Sequence, residues 1–349
     1  LLALCLTVGI VSVVMTLALR IPISFAWSTP GAALLIAAGH DGADFRAAVG
    51  AFIVCAALIV ACGLWPALGR AITSIPRPIA GAMLAGILFP ICIAPVTASV
   101  KEPLLAIPVV VTWLVLYRLA PRWAVPAAML VAGVGIALTA GTGWMAHASL
   151  APQLSFVAPV FDPLVVVSLG IPLFIVTMAG QNVPGFAVMS TFGYTVPPRA
   201  ALVSTGVGSA AGALFGGHAI NLAAITAALM AHPDAHDDPN RRWIASFSAG
   251  IGYLILGLGA GAATALVAAA PPILITAVAG LALLGALVTA IVTALEDQRH
   301  RITAIAVFLV TASNLTIIGI GSAFWGLIVG FVFAGWLWWR GPRRSRTLS

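Results

Sequence analysis

A few small polar side chains are set into an otherwise apolar chain, and their chemistry is that of holding an anion. Ser28 and Thr29 stand just ahead of Pro30 and Gly31, and Gln181 and Asn182 are adjacent amides between Gly180 and Pro184-Gly185. His218 follows Gly217 and is the histidine that falls inside a predicted apolar segment, with Asn221 three residues on, one helical turn away on the same face. Hydroxyls and amides donate hydrogen bonds without carrying charge, and a histidine changes charge near neutral pH. That makes His218 the candidate for moving a proton. Each group also has a plainer role. The hydroxyls could only cap a helix, the amides could only brace freed backbone, and His218 could be a neutral, hydrogen-bonded core residue. Phe25 and Trp27 flank the first cluster as Phe215 flanks the second; they either wall a ligand or pack. No Asp or Glu lies clearly mid-span: Asp162 sits at a predicted outer end, and Glu102, Glu296 and Asp297 belong to turns. A carboxylate proton relay is therefore disfavoured.

These groups need elements that hold them at depth. Residues 21–38 do not read as one clean helix. Pro22 and the β-leaning run 23–27 favour extended chain, and Ser28-Thr29-Pro30-Gly31 then opens an apolar helix with a hydroxyl at the N-cap. Residues 215–231 repeat the pattern, with Gly216-Gly217 ahead of a short helix. Broken segments at membrane depth are tolerated where they line a cavity or are buried in protein. A helix N-terminus there presents bare N–H groups to an anion.

The surroundings are a membrane. Of 349 residues 62% are apolar and only 7% charged, against roughly 25% charged in soluble domains. The net charge of +7 belongs to inner loops rather than to a nucleic-acid partner. Predicted spans cover residues 1–19, 45–68, 78–96, 104–119, 123–140, 163–189, 200–214, 243–262, 272–295, 302–320 and 322–339, with 163–189 interrupted near Gly180. Adding the two broken segments gives thirteen crossings. With the basic tail inside, fourteen of the sixteen Lys and Arg fall on the inner side, Arg46 and Lys101 alone outside. The chain then starts outside, so one further span ahead of Leu1 is expected.

Residues 75–88 and 270–283 are similar strings, each following a broken segment and one span. Seven crossings per repeat inverts the second copy, and paired broken segments in inverted halves mark a transporter's midplane site. The four cysteines lie in apolar runs without metal-ligand spacing, and His232 to Arg242 reads as a solvated inner loop rather than a metal site. No metal or cofactor is expected. No nucleotide-binding glycine loop and no nucleophile–base set is visible, which argues against an ATP-driven pump and against an enzyme.

Four strings carry a family resemblance over essentially the whole chain: Ala26-Trp-Ser-Thr-Pro-Gly-Ala-Ala-Leu-Leu, Thr177-Met-Ala-Gly-Gln-Asn-Val-Pro-Gly, Ala235-His-Asp-Asp-Pro-Asn-Arg-Arg-Trp and Gly319-Ile-Gly-Ser-Ala-Phe-Trp-Gly-Leu. The chain resembles the benzoate/proton symporter (BenE) family and, more distantly, nucleobase–cation symporters and sulfate permeases. The resemblance implies an all-α polytopic membrane protein of 7+7 inverted-repeat fold, its first span missing here and its third and tenth spans each a short strand plus a half-helix. It implies a core domain from residues 1–69 and 142–262, a gate domain from 70–141 and 263–340, and a cytoplasmic tail at 341–349. It further implies uptake of benzoate or a similar aromatic carboxylate with a proton, in a bacterial inner membrane, by a possible homodimer. Phe25, Trp27, Ser28, Thr29, Gln181, Asn182, Gly217, His218 and Asn221 are the expected substrate contacts. Gln181 and the string Gly217 to Asn221 lie where uracil permeases carry acids, and their replacement by neutral groups favours a carboxylate over a nucleobase. A nucleobase or inorganic-anion carrier of the same fold is the alternative; a channel or a membrane enzyme is a more distant one.

Overall fold

The computed structural model describes residues 1–29, 31–32, 35, 44–65, 67–68, 76–140, 151–269, 271–318 and 320–338. Most of the first half-helix after Ala32, most of the basic loop 70–77, His147 and the C-terminal tail lie outside them.

Thirteen helices and two short strands follow in order among the described residues. They are α1 (Leu2–Leu19), β1 (Phe25–Trp27), α2 (Phe45–Leu64), α3 (Arg77–Lys101), α4 (Pro103–Leu119), α5 (Pro121–Ala140) and α6 (Pro163–Thr191). The second part holds α7 (Pro198–Ala213), β2 (Ile220–Leu222), α8 (Ala224–Ala231), α9 (Trp243–Leu258), α10 (Ala260–Ala269), α11 (Pro272–Leu295), α12 (Arg301–Ala312) and α13 (Ser322–Trp338). Six of them, α1, α2, α3, α5, α6 and α11, are long and apolar enough to cross a bilayer.

Three spans differ from the sequence expectation. The predicted interruption near Gly180 is not a break: α6 runs through it, with π-helical turns at Val166–Gly170 and Met178–Asn182. Each π turn is followed two residues later by a proline, Pro172 or Pro184, which has no N–H to give the carbonyl four residues back. The wider turn absorbs that mismatch without ending the helix. The span expected at 302–320 is helical only to Ala312, and a turn with Asn314 and Ile318 at positive φ (51° and 55°) leads to α13. The span expected at 243–262 divides at Gly259, between α9 and α10.

Packing follows the small residues. α1 lies along α9, and α2 along α7 and the first π turn of α6; α3 lies along α11 and α12, and α4 along α5. One buried cluster runs from α2 through α3 and α6 to α11, α12 and α13, and includes Phe52, Ile59, Met83, Leu88 and Leu173. A second, with Val8, Met15, Phe25, Met189, Ile220 and Leu222, encloses one side of the strands. Outward faces stay apolar, as at Leu104, Leu130 and Leu138, because lipid rather than water is their solvent.

Candidate functional site

The site begins as a backbone problem. Two segments leave helical structure inside the bundle, and their N–H and C=O groups need partners there. The chain solves this by pairing the breaks. β1 and β2 run antiparallel, with Phe25 opposite Leu222, Ala26 opposite Asn221 and Trp27 opposite Ile220. The ladder extends outward at both ends: Ser28 N donates to the Ala219 carbonyl at 2.7 Å and Ala223 N to the Ser24 carbonyl at 3.0 Å. The free edge of β2 is satisfied by side chains. Ile220 N donates to Ser209 Oγ at 2.9 Å, and Leu222 N donates to Asn182 Oδ1 at 2.9 Å.

Asn182 is therefore a brace. It is fully buried, its oxygen takes the Leu222 donor, and its Nδ2 lies 3.3 Å from Met178 Sδ within the π turn. The extra residue of that turn sets the amide against β2. Gln181, its neighbour, is only partly buried, and its side chain makes no hydrogen bond among the described residues. The two amides thus differ as their adjacency requires: one holds the backbone and the other is available.

Ser28 caps the first half-helix. Its Oγ accepts from Gly31 N at 3.3 Å, and its carbonyl accepts from Ala32 N at 3.1 Å. The same Oγ lies 2.8 Å from Thr177 Oγ1 on α6, so the cap is tied to the helix that carries Gln181 and Asn182. Thr29 is partly buried and makes no side-chain hydrogen bond among the described residues. Thr177, Ser209 and Met178 were not singled out by sequence. Thr177 heads the string that holds both amides, which is the one signal that could have found it.

His218 stands over the first half-helix. A Cβ added at Gly31 would fall 2.9 Å from His218 Nδ1 and 3.0 Å from Leu173 Cδ1, so only glycine lets the ring approach. His218 is 5% exposed; its Nδ1 is 3.2 Å from the Ala219 carbonyl, and its ring meets Phe52 edge-on at 6.3 Å. A carbonyl accepts only, so Nδ1 carries the proton and Nε2 is the acceptor of the neutral ring. Gly217 completes the stop signal of α7. Gly216 takes φ 79°, its N–H bonds the Ala213 carbonyl at 2.9 Å, and Gly217 N bonds the Gly212 carbonyl at 2.8 Å.

Asn221 lies in a strand, not on the helical face expected for it with His218. It is 1% exposed, and its Nδ2 has no hydrogen-bond partner among the described residues. Two residues on, α8 begins at the N-cap Ala223 without a side-chain cap. A helix N-terminus leaves its first four N–H groups without intrahelical partners; here that of Ala223 is taken by the Ser24 carbonyl. Alternation along the strands puts Asn221 and Ala26 on one face. Phe25 and Trp27 lie on the other, Phe25 within the cluster of Val8 and Met15 and Trp27 edge-on to Tyr253 at 5.6 Å. The geometry brings Ser28, Thr177 and His218 together around the first half-helix and leaves Asn221 with the second. The aromatics expected as walls face away from Asn221.

The chain matches the family model described as benzoate membrane transport protein over residues 1–335. It is 42% identical over 331 residues to the inner membrane protein YdcO of Escherichia coli (strain K12), covering 95% of this chain and 84% of that protein. It is 32% identical over 333 residues to the benzoate membrane transport protein of Acinetobacter baylyi, with the same coverages. Its fold is similar to the transmembrane domain of the cyanobacterial bicarbonate transporter BicA (TM-score 0.57, 15% identity, 95% of this chain and 89% of that one). It is also similar to the murine anion transporter Slc26a9 in its inward-facing state (TM-score 0.61, 14% identity, 95% and 65%). A polytopic helical bundle with a paired strand crossing, matched along nearly its whole length by membrane transport proteins, is itself a membrane transporter: the chain belongs to the benzoate membrane transport protein (BenE) family.

Proposed function

We propose that this transporter takes up benzoate, or a similar aromatic carboxylate, together with a proton across a bacterial inner membrane. One observation carries the reading: Asn221 holds a buried Nδ2 with no partner among the described residues, two residues before the N-cap of the uncapped α8. A buried donor without an acceptor costs about 1–3 kcal/mol, which a ligand that accepts there would recover. A carboxylate supplies such acceptors, and the positive end of a helix favours its charge. Gln181 lends a second neutral donor, and Ser28 and Thr29 head the opposing half-helix. Benzoate is the substrate named for a relative 32% identical to this chain.

His218 is the residue we assign to proton coupling. Its neutral ring offers Nε2 as acceptor; protonation turns that acceptor into a donor and adds a charge beside the first half-helix, across the strand crossing from the anion site. Residues 1–69 and 142–262 form the moving core on this reading, and residues 70–141 and 263–340 the gate, with the basic C-terminus cytoplasmic. The packing of α1 on α9 and α2 on α7, and of α3 on α11 and α4 on α5, supports that partition.

Uptake of labelled benzoate into proteoliposomes, with and without an inward proton gradient, tests both parts. Saturable uptake driven by the gradient is expected. Saturable uptake indifferent to the gradient would overturn proton coupling, and no benzoate uptake with bicarbonate or uracil carried instead would overturn the substrate.

A further inference from the structure

The loop between α8 and α9 contains Ala235-His-Asp-Asp-Pro-Asn-Arg-Arg-Trp, a string the transport site does not use. It is not simply a solvated loop. Arg242 is 7% exposed, and its guanidinium donates from three nitrogens to three carbonyls: Nη1 to Ala231 at 2.9 Å, Nε to His236 at 2.8 Å and Nη2 to Asp237 at 3.4 Å. Three aspartates share the loop, yet Arg242 forms no ion pair with any of them among the described residues; Asp238 lies 3.8 Å from Arg241 instead. All three of its hydrogen bonds go to backbone carbonyls.

One of those carbonyls is the last of α8, the second half-helix. A cation is favoured at a helix C-terminus because it faces the negative end of the macrodipole. Here the opposite end of the same helix is the uncapped N-terminus beside Asn221. The rest of the loop holds the guanidinium in place. His236 Nδ1 accepts from Asp238 N at 3.0 Å, and Asp238 Oδ1 accepts from Asn240 N at 2.9 Å. Tyr194 Oη donates to the Pro239 carbonyl at 2.8 Å, and the Arg20 guanidinium lies 4.3 Å above the Trp243 ring. The loop is thus tied to the ends of α1 and α6 as well as to α8.

We propose that Arg242 is a positioning residue for the anion site: its buried carbonyl fork fixes the C-terminal end of α8 and so the placement of the helix whose other end lies beside Asn221. This rests on the reading of the α8 N-terminus as the carboxylate's place. A flexible lysine keeps the charge but not the planar fork, so Arg and Lys are not equivalent there.

The test uses the full chain in proteoliposomes, with Arg242→Met and Arg242→Lys against wild type, and benzoate and bicarbonate as separate probes. Expected are a KM raised about tenfold in Arg242→Met and two- to fivefold in Arg242→Lys, with maximal rates within twofold of wild type. A lowered unfolding temperature with unchanged KM, in whichever variant folds, would overturn the proposal and leave Arg242 a structural staple. If Arg242→Met does not fold, Arg242→Lys carries the same comparison. Wild type that carries bicarbonate but not benzoate overturns the substrate reading while the variants still decide the role of Arg242 on bicarbonate. Wild type that carries neither overturns both.

Discussion

Asn221→Leu separates binding from stability in a way that few substitutions do. In the free protein the Asn221 Nδ2 is buried without a partner among the described residues, at a cost of about 1–3 kcal/mol. Leucine has a similar shape and no donor to strand, and the residue directly opposite on β1 is the small apolar Ala26. The ligand-free variant is therefore expected to gain about 1 kcal/mol, less than the full penalty because leucine fills slightly more space. The liganded state moves the other way. A hydrogen bond to a charged acceptor contributes about 1.5–3 kcal/mol, so its loss weakens benzoate about 10- to 150-fold. Unfolding in mixed micelles measures the first quantity and proteoliposome uptake the second. Affinity within twofold of wild type would remove Asn221 from the site. Ligand-free stability lower than wild type by more than 1 kcal/mol would show that the unpaired amide is not held at a cost.

Three further expectations follow from the braces. Ser28→Ala loses both the cap on Gly31 N and the partner of Thr177; it should cost about 1–2 kcal/mol, and a double-mutant cycle with Thr177→Val should show coupling of about 0.5–1.5 kcal/mol. Additive effects in the same unfolding assay would mean that the hydroxyl pair carries nothing. Asn182→Ala strands the Leu222 donor and should cost about 2–4 kcal/mol, whereas Asn182→Asp keeps an acceptor there and should weaken anion uptake more than Asn182→Ala does. Equal transport defects in the two would refute the electrostatic part of that contrast. Ile318 is β-branched, 80% exposed and held at φ 55°, so Ile318→Gly should raise stability by about 1 kcal/mol; a loss of stability would show that its side chain makes up for the strain.

The sequence made the membrane class and the two breaks legible because both rest on local chemistry. An apolar run of span length needs no tertiary information, and Pro22 with Ser28-Thr29-Pro30 marks a strand-to-helix change on its own. The division of labour at the site was not legible, because it depends on partners far away in the chain. Gln181 and Asn182 look alike side by side; only the arrival of β2, forty residues on, makes one a brace. His218 and Asn221 invited a helical reading from their spacing, but they precede and occupy a strand. The break expected near Gly180 failed for a related reason. Proline and glycine signal that a regular helix cannot continue, and a π turn is a way to continue that leaves no separate mark in composition.

The two half-helices are not equivalent, and the difference decides where charge belongs. At the first, Ser28 already accepts from the exposed backbone and is itself engaged by Thr177, while His218 stands alongside. At the second, the N-cap is alanine, a buried amide donor has no partner among the described residues, and a buried guanidinium sits at the far end of an eight-residue helix. An anion is therefore favoured at the second end, since the cap at the first is already engaged by neutral groups. A carboxylate drawn to α8 would leave its ring toward the first half-helix, where His218, a group able to change charge, stands against Gly31. Substrate charge and proton would then be held by opposite sides of the same strand crossing. Because β1 and β2 are hydrogen-bonded to each other and braced by Ser209 and Asn182, the two sides would have to move as one.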